Sequence, residues 1–420
     1  MTNRQALLPG VYLTAVQTDK FKTGCCSVNL LRPLSRREAA ANALLPSVLL
    51  RATAQHPSIR SISAHLDELY GASLGTLVRK KGEVQTVGFF ADFVEDALAG
   101  APVFRQTVDF LGEVLLRPAT QNGVFLPDAV AGERQNLLNA IAARINDKRT
   151  YAVAQLQRLM CQNEAYGVPR LGEAEDVQAL DEKTLWTHYQ NILAHSQVEI
   201  FYMGRQTPDA AAETFRDVLK ALPRGDRTPC ATTVVRRAET VKTEEQAMDV
   251  TQGKLALGFR TDCTVQDPEY PALLMMNAIF GAGMTSKLFL KVREELSLCY
   301  YASASLEKFK GVMLVSSGIE FAQRDTAQAE ILRQLDACRA GDISDYELES
   351  ARRYIRSELR AGMDSPGRLD DFYIGQVIAG QDGTMADLSA RIAAVTKDDV
   401  VAAAKRVTLD TIFFLKGEAK

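Results

Sequence analysis

A chain of 420 residues, 46% apolar and 24% charged, has an ordinary globular composition and is long enough for two to three domains at about 150 residues each. Its formal charge of −3 leaves no basic excess for binding nucleic acid. No apolar run approaches the roughly 18 residues of a membrane helix, and residues 1–10, with one basic residue and an apolar run broken by Pro9, make a poor signal peptide. The seven cysteines (25, 26, 161, 230, 263, 299 and 338) contain no CxxC pair. Reduced thiols in a cytoplasmic protein are therefore expected, with adjacent Cys25 and Cys26 packing within a strand.

In chain order, residues 10–17 and 25–31 read as strands around a Thr-Asp-Lys turn. Ser35-Arg-Arg-Glu38 reads as a capping box. It opens a helix carrying Ala40, Ala43, Leu44, Leu45, Val48 and Leu49. Pro46 inside that helix removes a backbone hydrogen bond at a cost of about 3 kcal/mol, which predicts a kink or an early end. A helix at 62–70, strands at 74–78 and 84–91, and helices at 97–116, 127–144, 151–160 and 182–193 follow. A strand at 198–203 ends at Gly204. The order then repeats. Strand 254–261 leads to helix 271–280, a glycine turn, helix 288–296, strands 300–306 and 312–319, and helices 327–340, 345–360 and 398–406. The last strand, 411–415, runs up to Gly417, as 198–203 ran up to Gly204. This repeat of about 200 residues predicts domains at 1–222 and 252–420, joined by a polar connector at 223–251. Strand runs mixed with long amphipathic helices predict an α+β fold, each domain a mostly antiparallel sheet with helices on one face.

The stretch from Phe280 to Tyr301 organises the second half. Gly281 and Gly283 open it, an apolar helix pattern follows, Arg293 falls at the helix end and Tyr300 at the strand start. Two polar heads seven residues apart, across a helix-to-strand turn, can point into one cleft. By residue type alone, Arg293 reads first as a surface ion pair with Glu294, Glu295 or another acid and Tyr300 as a half-buried aromatic, while the glycines read equally as loop breakers. The stretch resembles the second-half signature of insulinase/pitrilysin-type zinc peptidases, in the branch of the mitochondrial processing peptidases. The resemblance covers nearly the whole chain. It implies the processing-peptidase/LuxS-like metallohydrolase fold, two halves arranged as a clam shell around a peptide chamber.

Members of that family place His-x-x-Glu-His on the helix after the second strand, so that two His share a helix face and a Glu activates water. A Glu from a later helix completes the ligand set. Aligned on the following Leu49-Leu-Arg-Ala-Thr53, the motif falls on Ala43-Leu-Leu-Pro46-Ser47, and the later ligand position falls on Ala140, seven residues after a matching Glu133. None of these four positions carries the family's residue. Of the four His (56, 65, 188 and 195), His65-Leu-Asp-Glu68-Leu69 comes nearest to the motif, with Leu at the second His position, and reads as a solvated helix face.

The resemblance is closest to metal-less bacterial members that accompany an active relative. It implies a catalytically incomplete subunit of a heterodimeric metalloendopeptidase, with no cofactor of its own and zinc in a homologous partner. Arg293 and Tyr300 would act in trans on a substrate carbonyl and oxyanion, and Gly281 and Gly283 would let backbone approach peptide or partner. The expected partners are that homologue and a peptide, with no nucleic acid and no membrane. A non-peptidase scaffold or a peptide-binding protein of the same fold is the alternative.

Overall fold

The computed structural model describes residues 3–418. They form two compact units, and neither is a continuous piece of chain. The first comprises the chain up to Ala142, Val168–Ala231 and Pro366–Ile378; the second comprises Ala143–Gly167, Thr232–Ser365 and the chain from Ala379 onward. Division along the chain at 222 and 252 therefore misses two helical segments, each of which packs with the sheet of the other half. Periodicity reports which face of a helix is apolar, not which sheet receives it.

In the first unit, strands β1 (Asn3–Leu8), β2 (Val11–Gln17), β3 (Thr23–Pro33), β4 (Ser73–Lys81), β5 (Val84–Val94) and β8 (Gln197–Gly204) form one sheet in the order β1-β2-β8-β3-β5-β4. Only the β2/β8 joint is parallel. A short separate hairpin joins β6 (Thr120–Gln121) to β7 (Val124–Phe125). Alternate residues of β3 serve two faces. Cys26, Val28 and Leu30 join the main core with Leu44, Val48 and Phe110 from the helices. Cys25, Ser27 and Asn29 point the other way, where the helix Pro366–Ala379 lies. Its Asp370 carboxylate accepts from Ser27 Oγ (2.5 Å) and Arg79 Nη1 (2.5 Å), Asp371 pairs with Lys81 (2.7 Å), and Tyr373 stacks on Phe201.

The second unit contains β9 (Lys242–Met248), β10 (Gly253–Arg260), β11 (Tyr301–Glu307), β12 (Val312–Ile319) and β13 (Thr408–Gly417), in the order β11-β12-β10-β13-β9. Read from the other edge, this is the first sheet without β1, down to the single parallel joint, here β13/β9. The strand β9 lies inside the stretch read from sequence as a connector. One helix again covers the second face: Ala152, Leu156 and Met160 of Lys148–Met160 pack on Ala256, Leu314, Phe413 and Leu415. Gly258 admits it, because a Cβ there would sit 2.7 Å from Met160 Sδ. The mixed α+β architecture agrees with the sequence reading. Helices on one face only does not, since each sheet is covered on both.

Local expectations shift in three places. Ser35 caps the helix Arg36–Leu49 by position only, with no side-chain hydrogen bond. Glu38 is held instead by Arg32, which is 2% exposed and donates to both carboxylate oxygens (2.7 and 2.9 Å), so it cannot reach back to Ser35. That helix runs through Pro46 to Leu49 with neither early end nor break. The expected helix 97–116 is two, Asp96–Ala99 and Val103–Leu116, parted at Gly100 (φ 68°) and Pro102.

Candidate functional site: a glycine turn, an arginine and a tyrosine

The helix Tyr270–Phe280 is buried almost all round and stops at Gly281, whose N–H donates to Asn277 O (2.8 Å). The Gly281 carbonyl then accepts from Ala304 N–H on β11 (2.8 Å). A Cβ at 281 would lie 2.7 Å from both Ala304 Cβ and Leu288 Cδ1, so glycine is required by close approach. Gly283 is different, with its nearest neighbour the Tyr354 ring at 3.9 Å. Ser286 Oγ donates to Gly283 O (2.6 Å), and Lys287 Nζ pairs with Glu347 (2.8 Å) on the helix Asp345–Gly362, tying the turn down.

The next segment, Leu288–Glu295, is a π-helix rather than the α-helix its apolar spacing predicts. Such turns are rare and frequent at functional sites. Leu288 and Val292 are its buried anchors. Arg293 leaves it half exposed, its guanidinium 4.7 Å from the Phe289 ring centre and its Nε 3.3 Å from Glu294 Oε1. Glu295, the other candidate acid, pairs with Lys291 (2.5 Å). Ser297 turns the chain with φ 50°. Tyr300 then docks by its N–H on Gly318 O (2.8 Å), leaving its side chain 58% exposed. Its hydroxyl donates to Glu320, and that hydrogen bond raises the Tyr300 pKa above its ordinary value. The structure thus sets Arg293 and Tyr300 on the surface at the two ends of one short turn, each held by an acid of its own chain. Glu320 was not singled out from sequence. In the strand register Tyr301 pairs with Gly318, which puts Glu320 diagonally across from Tyr300.

The positions matching the family's zinc motif tell a different story. Ala43 and Pro46 are buried, Ser47 is half-buried, and Ala140 is exposed on the helix Pro127–Ala142. Together they offer one hydroxyl and no imidazole or carboxylate, a donor set that does not fit zinc. Glu133 is engaged by Arg51 Nη1 and Asn136 Nδ2, each at 3.2 Å. Among the described residues, no three His, Cys, Asp or Glu are grouped as a metal site requires. His65 is half-buried on a largely exposed helix, its Nδ1 3.8 Å from Glu68 Oε2. Its ring lies tilted 4.5 Å from that of His56 and 4.9 Å from that of Phe110. His195 Nδ1 contacts the Asp226 carbonyl (2.7 Å), and His188 Nε2 contacts Asn42 Oδ1 (2.7 Å). All seven cysteines are free, and burial pushes the Cys25 and Cys26 thiols well up, against thiolate chemistry. No helix among the described residues is long and apolar enough to cross a membrane.

Residues 179–355 match the family described as the peptidase M16 inactive domain. The chain is 33% identical over 414 residues to a probable inactive metalloprotease of Bacillus subtilis, YmfF, covering 97% of this chain and 96% of that protein. A conserved protein from Enterococcus faecalis has the same fold with a TM-score of 0.92 at 30% identity, covering 100% of this chain and 99% of the other. The peptidase M16 inactive domain from Pseudomonas fluorescens shares the fold alone, with a TM-score of 0.81 at 16% identity over 100% and 98% of the two chains. An inactive relative aligned from end to end, and alanine, proline and serine where zinc would be held, lead to one conclusion: the chain belongs to the M16 (insulinase/pitrilysin-type) peptidase family, in its inactive-domain group.

Proposed function

We propose that this chain is the zinc-free subunit of a two-chain cytoplasmic M16 peptidase. It supplies Arg293, Tyr300 and half of a peptide-enclosing chamber, while a homologous partner holds zinc. One observation carries the reading: the motif positions hold no zinc donors, yet Arg293 and Tyr300 stand exposed at the two ends of the turn that follows the π-helix. Arg293 is a planar donor suited to a substrate backbone carbonyl. Tyr300 already donates its hydroxyl to an anionic oxygen, that of Glu320, and would exchange it for the oxyanion forming on the substrate. Gly281 and Gly283 shape the turn that approaches peptide or partner.

A scaffold or a peptide-binding protein without catalysis is the second reading. The acids already engaging both heads favour it, since an exposed ion pair is worth only about 0–1 kcal/mol and needs no substrate to explain it. Mixing the chain with a zinc-bearing M16 homologue, followed by sizing and peptide hydrolysis, separates the two. The subunit reading expects one complex and hydrolysis beyond what the homologue achieves alone. A complex with no gain in hydrolysis leaves the scaffold, and two separate species remove the pairing altogether.

A further inference from the structure

A second cleft, of about 750 Å³, opens in the first unit between the start of the helix Arg36–Leu49 and the helix Glu182–His195. It is lined by Arg37 and Glu38 in the first turn of that helix, about 7–15 Å along the axis from Ala43 and Ser47, the positions matched to the zinc motif. Behind His188, one of its lining residues, runs a fixed polar chain. Gln85 Nε2 donates to the Arg170 and Ala39 carbonyls (2.7 and 3.3 Å), so Gln85 Oε1 can only accept. Asn42 Nδ2 donates to that oxygen (2.8 Å), which leaves Asn42 Oδ1 as the acceptor for His188 Nε2 at 2.7 Å. His188 Nε2 therefore carries the hydrogen and Nδ1 is bare, without a partner among the described residues. Burial lowers the His188 pKa to about 4, so the ring is neutral at physiological pH.

Charge in the cleft is unbalanced. Arg32 is neutralised by Glu38. Arg37 and Lys183, both exposed and both lining the cleft, make no ion pair among the described residues. Asp181, which attracts Lys183 across the helix start, caps the helix by accepting from the Lys183 and Thr184 N–H groups and makes no ion pair with the Lys183 ammonium. Two exposed cations in no ion pair, beside a tautomer-locked acceptor, suit an oxyanion that also carries a hydrogen-bond donor. Hydrogen phosphate has both properties, whereas sulfate and carboxylates have only the charge.

We propose that this cleft binds a small phosphate-bearing molecule, with Arg37 and Lys183 on the anionic oxygens and His188 Nδ1 accepting a hydrogen bond from a ligand O–H. The volume exceeds what bare phosphate fills, leaving room for an organic portion. Calorimetric titration of the purified full chain at fixed ionic strength tests this, using inorganic phosphate, glycerol 3-phosphate and sulfate as probes. Imidazole-ring NMR accompanies it, since there are only four His to resolve. Phosphate or its ester should bind and move the His188 ring resonances, the tighter of the two naming the source. Sulfate should bind at least about tenfold more weakly, the cost of one hydrogen bond left unmade. Arg37→Ala and Lys183→Ala, both surface changes, should each weaken phosphate by about tenfold or more. Equal binding of sulfate and phosphate, unchanged binding in the double variant, or a silent His188 ring would each overturn the site.

Discussion

Gly281 and Gly283 are alike in sequence and unlike in surroundings, which makes them a sharp pair to test. Gly281→Ala forces a methyl to within 2.7 Å of Ala304 Cβ and Leu288 Cδ1, and should cost about 1–3 kcal/mol in urea unfolding, the usual penalty for overpacking. Gly283→Ala meets nothing nearer than 3.9 Å and should stay within about 0.5 kcal/mol. Equal effects would mean that the close approach at 281 is not what demands glycine. His188 gives a pH signature. Burial lowers its pKa from 6.5 to about 4 in the folded state, so the unfolded chain takes up a proton first as pH falls. Its contribution is intact above pH 6.5 and is lost between about 6.5 and 4, by on the order of 3 kcal/mol at about 1.4 per unit. The measurement is the difference in unfolding free energy between wild type and His188→Gln across that window. A constant difference would show that His188 keeps its unfolded affinity for protons.

At the scale of elements, the two exchanged helical segments are each pinned by carboxylates. Glu164, just past the helix Lys148–Met160, pairs with Arg260 and Lys310, both at 2.6 Å and both buried, while Arg260 also holds Asp410 (2.7 Å). Burial alone would raise the Glu164 pKa, but the hydrogen bonds from Arg260 and Lys310 prevail and lower it. Glu164→Ala should therefore destabilise the fold by about 3 kcal/mol or more, because two buried cations lose a counter-charge. A loss below about 1 kcal/mol by chemical denaturation would show that Asp410 and the Thr233 carbonyl, which Lys310 also reaches, suffice without it. These pins explain what was legible in the sequence and what was not. The strands β3, β10 and β12 announce themselves by short apolar runs, and the long helices by their stripes. The strand β9 reads Lys-Thr-Glu-Glu-Gln-Ala-Met and looks like linker, because at the edge of the sheet its side chains are polar and half-buried or exposed rather than alternately apolar. Pro366–Ala379 went unread because Asp370 and Asp371 suggest a surface, whereas Asp370 is fully buried by Ser27 and Arg79. Glu38 had two possible partners, Ser35 three residues back and Arg32 six residues back on β3, and only packing decides between them. At the candidate site, the glycine turn, Arg293 and Tyr300 could be named in advance. The π-helical winding and the Glu320 contact depend on how Leu288 and Val292 seat, which no local pattern encodes.

For the molecule as a whole, an M16 fold without zinc donors makes two expectations measurable. Purified alone, the chain should hold well under one zinc per molecule, since Ala43, Pro46, Ser47 and Ala140 offer no imidazole or carboxylate. One tightly bound zinc by elemental analysis would contradict this. The second expectation concerns the assembled enzyme and separates chemistry from surface decoration. Tyr300→Phe removes one hydroxyl from a side chain that is 58% exposed, so neither packing nor assembly should change. If that hydroxyl faces the oxyanion, turnover by the complex with a zinc-bearing homologue should fall about 10²–10³-fold, the usual effect of one lost donor. Arg293→Ala should weaken substrate use by about 10–100-fold if it holds a backbone carbonyl, a charged hydrogen bond being worth about 1.5–3 kcal/mol. Glu320→Gln is the control for the resting contact. It frees Tyr300 from an anionic acceptor and should leave turnover unchanged or higher, because the glutamate competes with the oxyanion for the same hydrogen. With sizing confirming an intact complex for each variant, wild-type rates from both Tyr300→Phe and Arg293→Ala would assign these residues to Glu320 and Glu294 alone and leave the scaffold reading standing.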